Sequence, residues 1–248
     1  VYILFIALKS PEEFFSSDVL AFPKILAWSN FTEAGKVLLP YFNNNVKLVI
    51  ISLPILLLVS SLAAYPLARM NFRMREMLTG FFLFGMMVPI SITIIPLYIL
   101  FKSLHLLNTH TSLVLSYIAF GIPFTIFMMR GYFLSIPKEV EESAKIDGCS
   151  PLGIYARVIL PISTPILTTA AVMNFIGIWN DFFFAYTFIQ DNSKMTLNVG
   201  LLAFVQQFVS KMNAMTAGMI LIILPTFILF LVFQKYIIVR TNDGSVKG

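Results

Sequence analysis

From residue 46 onward the chain alternates long apolar runs with short polar, basic tracts. A bilayer core about 30 Å thick takes about 20 predominantly apolar residues per helix. Four runs meet that length with no charge away from their edges: 46–68, 77–101, 112–129 and 214–233. A fifth, 166–189, is long enough but holds Asn174 and the tract Trp179, Asn180, Asp181. A mid-span Asp in lipid costs roughly 2.5–3.5 kcal/mol on insertion scales, so that tract should face protein or a water-filled cavity. Residues 1–8 are apolar but too short to cross. They read as the outer end of a partial first transmembrane helix. Residues 9–45, mixed and polar and punctuated by Pro23 and Pro40, read as an extracytoplasmic segment with room for a short interfacial helix.

Composition agrees with this pattern. Hydrophobic residues make up 58% and charged residues 12% of the chain, against about 45–50% and about 25% in soluble domains. A soluble fold of this size has no interior for so much apolar surface. The single Cys149 excludes an intrachain disulfide and a cysteine metal cluster. The net charge of +5 lies in short tracts between apolar runs rather than on one amphipathic face, which argues for membrane topology and against a nucleic-acid partner.

Lys and Arg are retained on the cytoplasmic side of short loops. One side collects Arg69, Arg73, Arg75, Arg130, Lys138, Lys145, Arg157, Lys235, Arg240 and Lys247, which includes every Arg in the chain. Segments 69–76 and 130–165 and the C-terminus are therefore expected in the cytoplasm. Prolines recur inside the spans at Pro54, Pro89, Pro96, Pro123 and Pro225. Packing kinks and kinks that let the bundle open both account for them.

The segment 130–165, about 36 residues, is long for an internal connection, and 69–76 is tight. Within it, Pro137 suits the first turn of a helix and Gly148 a left-handed stop. Glu139, Glu141 and Glu142 fall near the positive end of that helix, and Lys145 lies four residues after Glu141. Val140, Ala144 and Gly148 repeat every fourth residue, a narrow side of small groups that lets another surface approach.

These residues resemble a known signature. Permeases of binding-protein-dependent ABC importers carry Glu-Ala-Ala, three residues, Gly, nine residues, then Ile-x-Leu-Pro. This chain has Glu142, Ser143 and Ala144, three residues to Gly148, nine to Val158, then Ile159, Leu160 and Pro161. Ser143 replaces the first Ala and Val158 the Ile; the spacing is unchanged. Ile136-Pro137, the run from Ala144 to Gly148, and Leu160-Pro161-Ile162-Ser163-Thr164-Pro165 are similar to the carbohydrate-uptake branch. So are Trp179 to Phe182 followed by Thr196 to Gly200. The tail Gln234-Lys235-Tyr236, Val239-Arg240 and Gly244-Ser245-Val246-Lys247-Gly248 is similar to the maltose-type G subunit.

The resemblance implies an all-α integral membrane protein with the type I ABC importer permease fold. That is a six-span architecture, of which this sequence holds five full spans and a partial first one. Residues 46–248 would be the transmembrane domain, with 130–165 its cytoplasmic coupling loop. The signature helix would dock on a cytoplasmic ATPase dimer, with Glu142, Ser143, Ala144, Asp147, Gly148, Val158, Leu160 and Pro161 as the coupling positions. Gly244, Ser245, Val246, Lys247 and Gly248 would either enter the ATPase interface or be an ordinary disordered end. Asn174, Trp179, Asn180 and Asp181 would line the pathway and touch substrate, or order a helix break. Implied partners are a second permease subunit, a different chain, an extracytoplasmic solute-binding protein, a sugar and membrane lipid. No Gly-rich phosphate loop occurs, so ATP and Mg belong to the partner subunit, and this chain is not an enzyme and holds no cofactor. The expected location is a prokaryotic plasma (inner) membrane.

Two rivals have different requirements. A secondary transporter driven by an ion gradient should show internal repeats or several intramembrane ionisable groups, and only Asp181 qualifies. A membrane enzyme needs clustered His, Asp, Glu or Cys near the bilayer face, and His105 and His110 are isolated.

Overall fold

The computed structural model describes residues 2–16, 21–208 and 211–238. In chain order the elements are α1 (Tyr2–Leu8), α2 (Pro11–Ser16), α3 (Ser29–Arg69), α4 (Arg75–Gly85), α5 (Ile90–Ser103) and α6 (His110–Ser135). Next come α7 (Lys138–Ile146), α8 (Pro151–Ile154), a π turn (Tyr155–Ile159), α9 (Leu160–Ile162) and α10 (Thr164–Trp179). Then α11 (Phe183–Phe188), a 3-10 turn (Asn192–Lys194), α12 (Leu197–Gln207) and α13 (Met212–Ile238) complete the described chain, in which no strand occurs.

α3 begins well before the hydropathy boundary at residue 46. Its 41 residues extend about 60 Å at about 1.5 Å each, twice the bilayer core. Polar Asn43, Asn44 and Asn45 end the apolar run in sequence but not the helix. Asn44 and Asn45 are buried and hydrogen-bonded, Asn44 Nδ2 donating to the carbonyls of Ser193 and Met195, both at 2.9 Å. Residues 29–45 of the segment read as extracytoplasmic are thus the first part of this helix.

α3 packs most extensively against α6. The contact follows from spacing: Leu48, Ser52, Leu56, Ser60, Ala64 and Ala68 are buried every fourth residue of α3. On α6 the buried row is Leu113, Tyr117, Thr125, Met129 and Phe133, with Gly121 between. Rows of small and hydroxyl side chains let two helices approach where lipid supplies no hydrophobic drive. α10, α12 and α13 also pack on α3, so it is the central rod of the bundle.

Two of the expected spans are not single rods. The run 77–101 is broken between α4 and α5, which meet at 97°. The break centres on Pro89, which lacks an N–H and holds the residue before it away from helix. The run 166–189 is likewise interrupted: α10 stops at Trp179, and α11 is short. Three unbroken helices and two bent pairs, α4 with α5 and Pro151–Ile162 with α10, are apolar and long enough to cross a membrane.

Candidate functional site

The first part of the signature, Glu142 to Gly148, forms α7 and the turn after it, and the second lies in the π turn (Val158, Ile159) and in α9 (Leu160, Pro161). Gly148 has φ +78°, the left-handed stop the sequence predicts. The helix closes with Asp147 N–H donating to Ser143 O (3.1 Å), Gly148 N–H to Lys145 O (3.0 Å) and Cys149 N–H to Ala144 O (3.0 Å).

Burial divides α7 into two faces. Glu141 and Ala144 are buried, whereas Glu142, Ser143, Asp147 and Gly148 are exposed. Ala144 packs with Phe133, Ile154, Tyr155 and Ile159, and Val140 lies against the same cluster. Of the narrow side that the sequence offers to another surface, Val140 and Ala144 are thus taken up by the chain itself, and Gly148 stays exposed. Val158 and Leu160 also pack on this cluster, and Pro161 is exposed. Leu160 N–H donates to Tyr155 O, five residues back. Such π widening eases the clash between the Pro161 ring and the carbonyl four residues before it.

Beneath α7 lies a buried polar joint that sequence reasoning missed. Arg69 Nε and Glu141 Oε1 approach to 2.9 Å as an ion pair, without the alignment of a directed hydrogen bond. Tyr65 Oη donates to Glu141 Oε2 at 3.5 Å, and a second Arg69 nitrogen donates to Ile136 O. Ser61 and Tyr155 share a hydrogen bond of 2.7 Å one turn deeper. Arg75 and Arg130 both donate to Leu67 O, at 3.0 and 3.1 Å, satisfying carbonyls that a helix end leaves free. On the outward face, Ile146 is 87% exposed and Leu152 67% exposed. An isoleucine opposite Glu141 and Ala144 on a polar helix is an exposed apolar residue legible in the sequence that the motif alone does not single out.

A second candidate site is a cavity of about 220 Å³ among α6, α10 and the α10–α11 break, lined by Tyr117, Phe120, Phe124, Asn174, Asp181 and Phe184. Asn174 Nδ2 donates to Thr125 Oγ1 (2.9 Å) and Ala170 O (2.8 Å), so its carbonyl is the group left for the cavity. Asp181 accepts from Tyr117 Oη at 2.9 Å and from the backbone N–H groups of Phe184 (3.3 Å) and Ala185 (3.1 Å). It therefore starts α11 as well as lining the cavity.

The four residues proposed for the pathway separate here. Asn174 and Asp181 line the cavity, but Trp179 is buried elsewhere, stacked on Phe175 at 5.3 Å and edge-on to Phe42 at 5.5 Å. Its carbonyl accepts from Asn45 Nδ2 (3.1 Å) and Asn198 Nδ2 (2.8 Å), which orders the break. Asn180 is exposed and folds back on Ile176 O at 2.9 Å. The tail residues 244–248 lie outside the described residues.

Comparison with known proteins agrees with this geometry. Residues 49–243 match the family described as "Binding-protein-dependent transport system inner membrane component". The chain is 37% identical over 243 residues to "Probable ABC transporter permease protein YurM" of Bacillus subtilis, covering 98% of this chain and 81% of that protein. It is 32% identical over 245 residues to the "Melibiose/raffinose/stachyose import permease protein MelC" of the same species, covering 98% and 88%. Its fold is similar to a chain in the crystal structure of a bacterial ABC transporter involved in the import of the acidic polysaccharide alginate, with a TM-score of 0.84 and 23% identity over 95% of this chain and 89% of that one.

Proposed function

The chain belongs to the binding-protein-dependent transport system inner membrane component family, and from that premise we propose that it forms half of the pathway of an ABC importer for a sugar or oligosaccharide. It is a multi-pass plasma-membrane protein with the type I permease fold. The arginine-rich end, with the C-terminus, faces the cytoplasm. There α7 is the coupling helix for a separate ATPase dimer, which carries ATP and Mg. A second permease of different sequence completes the pathway, and an external binding protein delivers solute. The sugar class is taken from relatives such as MelC.

The observation that carries the reading is the outward face of α7. It is a helix ended by Gly148 at the signature spacing, fastened on its inner side, with Glu142, Ser143, Ile146 and Asp147 free for a partner. The cavity with Asn174 and Asp181 supports a pathway role, since aromatic walls with few polar groups suit a sugar ring. Trp179 and Asn180, whose side chains do not line that cavity, take the other role weighed for them, ordering the helix break. The tail residues Gly244, Ser245, Val246, Lys247 and Gly248 are proposed to reach the ATPase interface, on the resemblance of the sequence alone.

Detergent co-purification from the cells of origin tests the assignment. The native chain should bring down an ATPase and a second permease. Ile146→Asp, on the exposed face, should keep the second permease and lose at least about nine-tenths of the ATPase, the effect of truncating one well-packed contact of about 1.4 kcal/mol or more. A native chain that purifies without any ATPase would favour the ion-driven transporter instead.

A further inference from the structure

α7 has little of its own to hold it in place. Ala144 is its one buried apolar residue, with Val140 partly covered. Apolar contact is non-directional, so it tolerates sliding. The fastenings with direction come from the last turns of α3, from Tyr65, which donates to Glu141, and from Arg69, its last residue, which donates to Ile136 O. The Arg69 guanidinium meets the Glu141 carboxylate in the middle of α7 and the Ile136 carbonyl just before its start. A planar guanidinium held at two points fixes orientation as well as distance. Both side chains are nearly excluded from solvent, 6% and 10% exposed, and removing one member of such a pair strands the other.

The far end of α3 is fastened as well. Tyr41 Oη donates to Asn192 Oδ1 at 2.7 Å. Asn44 holds the carbonyls of Ser193 and Met195, and Asn45 holds Trp179 O while accepting from Leu197 N–H at 2.9 Å. One continuous helix therefore joins the signature helix to the α10–α11 break and the loop that follows.

We propose that Arg69 and Glu141 are positioning residues that make α7 and α3 one moving body, so that displacement of α7 reaches the opposite end of the bundle through α3. Neither residue contacts the ATPase or the solute. The inference rests on the coupling role given to α7 above.

The test uses the intact importer in lipid nanodiscs, with Cys149→Ser as background and spin labels at Lys36→Cys on α3 and Lys138→Cys on α7, both exposed and outside the docking face. Their separation is measured by pulsed electron spin resonance before and after trapping with ATP and vanadate. In the otherwise native chain the distance should not change on trapping. In Glu141→Gln, or in Arg69→Gln should that variant be poorly produced, it should shift or broaden by about 3 Å or more, within the range of helix displacements in switching proteins. Glu141→Asp, which keeps the charge, should stay closer to native. A native distance that changes on trapping overturns the proposal. So does a Glu141→Gln complex that keeps the native, unchanging distance, including one whose only defect is lower abundance. A native complex that holds no ATPase overturns the functional reading itself, a result visible before any distance is measured.

Discussion

Gly148 is the described glycine with positive φ, and nothing lies within 4 Å of the Cβ that another residue would add there. Gly148→Ala is therefore strained by backbone alone. The expected cost is about 1–2 kcal/mol for a left-handed alanine, with Gly148→Asn milder because Asn tolerates that region. Thermal unfolding of the purified protein, with loss of α7 order in Ala before Asn, checks this. The position was legible in sequence because a stop residue at fixed spacing has a backbone reason that needs no partner. Glu141 was not. In sequence it is one more acid near a helix start, and only the approach of Arg69 from another helix turns it inward. For Trp179 the sequence leaves two roles open, a sugar contact and the ordering of a helix break, and here its ring fills space between Phe42 and Phe175 while its carbonyl is held at the break.

At the scale of elements, the loop after α11 is held by a compact set of bonds. Asn108 Oδ1 accepts from Gln190 and Asp191 N–H groups at 3.1 and 2.8 Å, and His110 Nε2 lies 2.9 Å from Lys194 O. Asp191 accepts from the Ser193 hydroxyl (2.7 Å) and N–H (3.0 Å), with Lys194 Nζ at 3.2 Å. Hydrogen bonds from Ser193 first, then Lys194, hold the Asp191 carboxyl below its usual range. A carboxylate lowered in the folded state stabilises above its unfolded pKa, and that stability disappears as pH falls through the folded value. The Ser193 amide should thus keep its hydrogen-exchange protection, corrected for intrinsic rate, from neutral pH down to the ordinary carboxylate range and lose it only below. Asp191→Asn should lower that protection at neutral pH. The existence of the apolar runs was legible from length and charge, but their shape was less so. The stop at Trp179 depends on whether neighbouring groups satisfy the freed backbone, and Asn45 and Asn198 supply that answer from elsewhere in the chain. The early start of α3 was hidden in the same way, since its asparagines look like loop residues until their partners are known.

For the whole molecule, the clustering of arginines at one end predicts that a reporter fused after Gly248 is active only in the cytoplasm. An external signal in a fusion or protease-protection assay would reverse the assigned orientation. Family and class were legible because the signature keeps its spacing, but the division of that signature between inside and outside was not. α7 shows its inner residues to its own bundle and its outer residues to solvent. The two sets can therefore vary under separate constraints: substitutions at Glu142, Ser143 or Ile146 leave the seat at Glu141 and Ala144 untouched. On the coupling role proposed for α7, a permease built this way can change which motor it accepts without relearning how to fold, so that one ATPase comes to serve several such permeases through changes on a single exposed strip.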